Sequence, residues 1–261
     1  VPTMANEIKI DLAKNPDKYP FKEVTFCNIG NPQEFKQKPI SFNRQVVSVM
    51  ANPELLDNNS INADARKRAK KFLDQIVSVG SYTHSLGIPM VRESIARYIE
   101  ENDEVAKVPV DDIITTDGAS QGVHLLLNMI ITSRQDGIMI PIPQYPLYTA
   151  ATELYGGSAV PYYLDEESGW QLDDSELQKS YDEATKNGVR PKCLVVINPG
   201  NPTGAIFSEE TIRKIIKFAT QKGLVVVADE VYRDNIYKKG AQFHSFRKVL
   251  NKMDKDTQEN C

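Results

Sequence analysis

The sequence predicts an α/β fold, a mainly parallel sheet held between two helix layers in an αβα arrangement. Two observations carry this. After residue 110, short apolar runs rich in β-branched residues alternate with amphipathic stretches of about ten to sixteen residues. That alternation marks βα units, in which a crossover helix returns the chain to begin another parallel strand. The second is a helix over 208–222 with both ends written in the residues: Ser208 to cap it, Glu209 and Glu210 at its positive end, and Gly223 to stop it. Its apolar stripe is Ile212, Ile215, Ile216 and Ala219. With 261 residues, 41% hydrophobic and 25% charged, the chain has the make-up of a soluble globular protein and material for a sizeable core.

The elements follow in chain order. Residues 1–43 carry Pro2, Pro16, Pro20, Pro32 and Pro39 among polar residues, so they read as an extended arm with one strand-like run at 24–29. Residues 44–261 form the remaining, larger domain. Ala65, Ala69, Phe72, Leu73 and Ile76 recur at helical spacing and predict a helix over 63–77, its Arg66, Arg68, Lys70 and Lys71 on a solvated face. A loop over 80–87 leads to a helix over 89–101 that starts at Pro89 and buries Val91, Ile95, Tyr98 and Ile99. Strands are then predicted at 113–116, 138–142, 160–164, 194–197 and 224–228, and helices at 120–131, 146–155 and 173–186. The polar residues 251–261 close no element.

Several function classes are excluded. Thirty-one Lys and Arg against 35 Asp and Glu leave a net charge of −4, which gives no general attraction to nucleic acid or to anionic membranes. Cys27, Cys193 and Cys261, like His84, His124 and His244, are too scattered to indicate a disulfide framework or a metal site, and a reducing compartment fits them best. No apolar run reaches bilayer length, and the first residues lack a secretory pattern, so a cytoplasmic protein is expected, with mitochondria as the alternative. The run Val225 to Glu230 resembles the metal-holding strand of a nucleotidase, but neither G-x-x-x-x-G-K-[ST] nor a strand-borne G-x-G-x-x-G occurs. A non-catalytic interaction module on the same scaffold stays open, because fold alone does not establish activity.

Ligands of open α/β sheets bind outside the carboxyl ends of the strands. There the sequence places Gly118-Ala119-Ser120, Gln144-Tyr145, Asn198-Pro199-Gly200-Asn201-Pro202-Thr203-Gly204 and Asp229-Glu230-Val231-Tyr232. Ala119 and Ser120 open a helix, where backbone N–H groups attract a phosphate; taken alone, Ser120 reads first as an N-cap. Tyr145, between Pro143 and Pro146, offers a flat face for stacking or packs as a core aromatic. Asn201 sits in a Pro-Gly turn with an amide to donate. Asp229 follows an apolar strand, where a carboxylate needs a cationic or hydrogen-bonding partner, and Tyr232 is three residues away.

Together these segments, with Thr116-Asp117 before the first and Pro141-Ile142-Pro143 before Gln144-Tyr145-Pro146-Leu147-Tyr148, resemble the fold type I pyridoxal-phosphate-dependent aminotransferases, and within them the alanine group. The likeness runs from about Thr25 to Phe246. It implies the large, cofactor-binding domain of that fold and pyridoxal 5′-phosphate as cofactor. Ala119 and Ser120 would hold the phosphate, and Tyr145 would stack on the ring. Asn201 and Tyr232 would bond its 3′ oxygen, and Asp229 would pair with the protonated ring nitrogen. Gly30 matches the position whose backbone approaches the substrate carboxylate. Tyr82 matches a tyrosine that reaches the phosphate of a neighbouring subunit, which implies a homodimer. The implied reaction moves an amino group between L-alanine and 2-oxoglutarate, with a glyoxylate-using relative as the alternative. No Ser-Lys-Gly segment follows Asp229, and Lys238 and Lys239 sit in a surface turn. The Schiff-base lysine is therefore expected beyond Cys261 in a chain read as incomplete.

Overall fold

The computed structural model describes residues 2–26, 30, 32–173 and 175–261. They form two compact units, 1–81 and 82–261, each taken by itself.

The first unit corrects the arm. Residues Pro2–Lys14 form a helix, α1. Its inner positions Ala5, Ile8 and Leu12 lie at helical spacing, with Leu12 buried. Asp11 ties the following turn, accepting from Asn15 at 2.8 Å and from the Tyr19 hydroxyl at 2.7 Å. Of the strand expected at 24–29, residues 24–26 are irregular, and 27–29 lie outside the described residues. Helix α2 (Ser41–Ala51) had no counterpart in the sequence reading; it packs Val46 and Val49 against Ala65 and Ala69 of α3 (Ala63–Leu73). The two alanines allow close approach. Helix α3 stops four residues short of the expected 77, with Asp74 at its C-cap.

In the second unit, α4 (Pro89–Asp103) begins at Pro89 as expected. Of its expected inner face, Ile95 and Ile99 pack against Ala96, Val108 and Ile113 and Val91 is half-buried, whereas Tyr98 is 42% exposed; Met90 and Arg92 are buried in addition. Arg92 is buried because its guanidinium is satisfied, donating to the carbonyls of Gly87 at 3.2 Å and Val110 at 3.0 Å. The strand expected at 113–116 does not form. Thr115 makes one backbone bond, to the Leu86 carbonyl at 2.9 Å, and no ladder partner lies beside it among the described residues. A β-branched run becomes a strand only where another strand pairs with it.

The remaining alternation is present. Helix α5 (Ala119–Ile130), β1 (Asp136–Ile142), α6 (Leu147–Leu154), β2 (Ser158–Asp165), a two-residue β3 (Gln171–Leu172), α7 (Glu176–Lys186), β4 (Arg190–Ile197), α8 (Glu209–Lys222) and β5 (Val225–Asp229) follow in order. The sheet order is β3-β2-β1-β4-β5, parallel except for the antiparallel β3 edge. Side chains alternate between its faces. Ile138, Ile140, Cys193, Val195 and Ile197 meet Val123 and Leu127 of α5 and Tyr148 and Ala151 of α6. Met139, Leu194 and Val196 meet Leu177 of α7, and Ile212, Ile215 and Ile216 of α8. These two cores make the three layers. Helices α9 (Phe246–Asn251) and α10 (Lys255–Asn260) follow, so the polar tail does close an element: Asp254 caps α10 by accepting from Thr257 N–H at 2.9 Å. No described helix is long and apolar enough to cross a membrane.

Candidate functional site

Asp229 is the last residue of β5. It lies opposite Ile197, the last residue of β4, and its carbonyl accepts from Asn198 N–H at 2.9 Å. The loop after β4 therefore leaves the sheet beside the Asp229 backbone. Asn198, 1% exposed, anchors this loop, accepting Phe207 N–H at 3.0 Å. The loop closes through Gly204 N–H to the Gly200 carbonyl at 2.7 Å, with Gly204 at φ 68°. Few residues other than glycine adopt that backbone.

The turn turns Asn201 to a cavity of about 1040 Å³, which Tyr232 and Lys238 also line. Tyr145, Asp229 and the 119–120 pair are not part of that lining. Lys238 and Lys239 are exposed in a turn closed by Ala241 N–H to the Lys238 carbonyl at 3.1 Å.

Asp229 shares its parity along β5 with Val227, which packs on the core beneath α5 and α6. On that face it meets Tyr148, a residue to which the sequence reading gave no role. The Tyr148 hydroxyl donates to Asp229 Oδ2 at 2.5 Å, and Val231 N–H donates to Oδ1 at 3.1 Å. Tyr148 is fully buried. Burial, and then the Asp229 carboxylate, push its phenol far above the usual tyrosine range, so it stays a donor. Strand parity was readable in the sequence; which helix covers that face was not.

Tyr145, three residues before Tyr148, is 47% exposed and so is not a core aromatic. Gly118, at φ 83°, is the N-cap of α5, and no side chain caps this helix. Ser120 therefore lies inside the first turn rather than at the cap, and Ala119 and Ser120 are exposed. Gly30 belongs to the first unit, is exposed, and, its chain neighbours aside, has no heavy atom of the described residues within 4 Å of where a Cβ would stand. Tyr82 has its ring wholly in solvent.

Two further carboxylates surround the end of β5. Glu230 accepts Phe246 N–H at 2.7 Å, and burial pushes its carboxyl up to about 7. Asp103, at the end of α4, pairs with Arg233 at 2.9 Å, and the guanidinium lies 5.4 Å from both the Tyr98 and Phe243 ring centres. Among the described residues, no group of three or more His, Cys, Asp or Glu is placed to hold a metal ion.

An open, mainly parallel α/β sheet with its polar side chains gathered at the carboxyl ends of β4 and β5 is an architecture of ligand-binding enzymes. Residues 46–257 match the family described as aminotransferase class I and II. The chain belongs to that family. It is 49% identical over 256 residues to alanine aminotransferase 1, mitochondrial, of Arabidopsis thaliana, covering 96% of this chain and 47% of that protein. It is 44% identical over 262 residues to a Saccharomyces cerevisiae protein named inactive alanine aminotransferase, covering 97% of this chain and 52% of that one. A solved Escherichia coli aminotransferase superposes with TM-score 0.68 at 26% identity, covering 94% of this chain and 51% of the other. The chain thus spans about half the length of the curated relatives it matches.

Proposed function

We propose that the protein containing this chain is a pyridoxal-phosphate-dependent aminotransferase that exchanges an amino group between L-alanine and 2-oxoglutarate. The observation that carries the reading is Asp229, set at the carboxyl end of β5 with both carboxylate oxygens accepting from fixed donors. Donors on both oxygens hold the carboxylate in one orientation, and a fixed carboxylate is what a protonated ring nitrogen needs opposite it. The donor set fits the rest of the cofactor as well. An uncapped helix start with exposed Ala119 and Ser120 suits a dianionic phosphate. A half-exposed Tyr145 leaves a ring face for stacking.

When bound, the cofactor supplies an electron sink for the bond broken at the substrate α-carbon. This chain's residues supply part of the holding. In this reading Asp229 keeps the ring nitrogen protonated, Asn201 and Tyr232 bond the 3′ oxygen, and Tyr82 reaches the phosphate in a second subunit of a homodimer. The backbone at Gly30 approaches the substrate carboxylate. The organisation into an N-terminal segment with part of a small domain, 1–43, and a cofactor-binding domain, 44–261, belongs to the same proposal, supported by a family match that begins at residue 46. The compartment is the cytoplasm or the mitochondrion, the latter stated in the name of the Arabidopsis relative.

Paired assays on the full-length protein test the reading. Alanine with 2-oxoglutarate should give pyruvate and glutamate faster than any other pair. A faster reaction with glyoxylate would replace the substrate assignment, and no transfer with any pair would remove the activity.

A further inference from the structure

We infer that Tyr148 is the positioning residue that aims the Asp229 carboxylate and holds it as an acceptor for the cofactor's ring nitrogen. The inference rests on the proposed aminotransferase reading and extends it to a residue that touches neither substrate nor cofactor. Tyr148 and Asp229 are 81 residues apart, yet the phenolic oxygen is 2.5 Å from Oδ2. The phenol is fully buried, packed with Ile138, Ile140 and Ile197 of the sheet, so it has no water to turn to. Val231 N–H occupies the other oxygen at 3.1 Å, and two donors on different oxygens fix both the rotamer and the plane of the carboxylate.

The chemical consequence follows from where a proton shared between carboxylate and ring nitrogen prefers to sit. A donor on the carboxylate stabilises its anion and leaves the proton on nitrogen; without that donor the proton moves toward the carboxylate, and the ring loses its positive charge. Desolvation strengthens the effect, because a buried hydrogen bond is not traded for one to water. Tyr148 also closes a mechanical link: α6 begins two residues after Tyr145, so one short segment carries the expected ring-stacking residue and the residue that sets Asp229.

The test uses the full-length protein loaded with pyridoxal phosphate labelled with ¹⁵N in the ring, whose resonance reports protonation of that nitrogen. In Tyr148→Phe the resonance should move toward neutral pyridine. In the same variant kcat should fall about tenfold while KM for the amino acid stays within about twofold. Asp229→Asn should move the resonance further. If Asp229→Asn moves it and a folded Tyr148→Phe does not, the role of Tyr148 is wrong while the Asp229 assignment stands. If Asp229→Asn leaves it unmoved, the Asp229 assignment fails and the inference goes with it. Should Tyr148→Phe not fold, tyrosine labelled at ¹³Cζ in the native sequence answers the same question, since coupling between two sites is reciprocal. The Tyr148 signal should shift on cofactor loading, and an unchanged signal would overturn the inference.

Discussion

Asp229 and Glu230 are adjacent carboxylates with different donor sets. Asp229 receives two donors, one of them a phenol, whereas the half-buried Glu230 has a single donor, Phe246 N–H at 2.7 Å. In the proposed enzyme, Asp229→Ala removes a partly desolvated charge partner, a loss of about 3 kcal/mol or more. The expected result is a fall in kcat on the order of a hundredfold with a much smaller rise in cofactor Kd, read from steady-state rates and cofactor titration. Equal effects on the two would remove the assigned role. Glu230 gives a stability prediction. Burial holds its carboxyl at about 7 in the folded chain, above the ordinary 4.5, so the native state keeps a proton that the unfolded chain releases. Stability must then fall as pH rises from about 4.5 to about 7 and stay lowered above that. Glu230→Gln keeps an acceptor for Phe246 N–H and does not ionise, so it should raise the unfolding temperature at pH 8 and leave it nearly unchanged at pH 4. Thermal melts at the two pH values decide this.

Two helix N-termini in the same unit are built differently, and one substitution type separates them. At α8, Ser208 accepts Thr211 N–H at 3.1 Å, while at α5 Gly118 holds the cap position and Ser120 caps nothing. Ser208→Ala should lower stability by about 1 kcal/mol, the ordinary worth of an N-cap. Ser120→Ala should change the stability of the cofactor-free protein by less than about 0.5 kcal/mol, as at an exposed site, while weakening retention of pyridoxal phosphate. Melting curves with and without cofactor read both. The same contrast shows what was legible in the sequence. Helix α8 was readable because its cap, stripe and stop are all local, and the strand ends were readable because an α/β sheet puts chemistry at one edge. The strand expected at 113–116 was not, because strand formation depends on a partner that sequence periodicity does not name. Helix α1 was missed because the prolines of the segment around it, Pro2, Pro16 and Pro20, masked the spacing of Ala5, Ile8 and Leu12. The Tyr148–Asp229 bond was hidden for a topological reason. Parity along β5 tells that Asp229 shares a face with Val227, but only the assembled sheet puts α6 over that face.

At the scale of the whole molecule, the homodimer of the proposed function makes a prediction about Tyr82. Tyr82 stands wholly in solvent, and α5 turns Leu125, Leu126 and Met129 outward, Met129 at 77% exposure. Such a face is where the proposed second subunit would pack. In a two-fold dimer, each site would combine Asp229 of one subunit with Tyr82 of the other. That geometry has a consequence that single variants cannot show. A Tyr82→Ala copy and an Asp229→Ala copy would each be impaired as homodimers, since every site lacks one residue. In a mixed dimer one site has both residues intact, and the other site lacks both. Random pairing makes half the dimers mixed, so co-expressing the two copies in equal amounts should restore about a quarter of the native activity. If Tyr82 instead serves its own subunit, each site of the mixed dimer still carries one lesion, and activity stays at the level of the parents. Rates measured on the mixed species, purified through two different affinity tags, distinguish the outcomes, with about half of the native activity expected there. Recovery would place Tyr82 across the interface, and its absence would return Tyr82 to its own subunit or to no site.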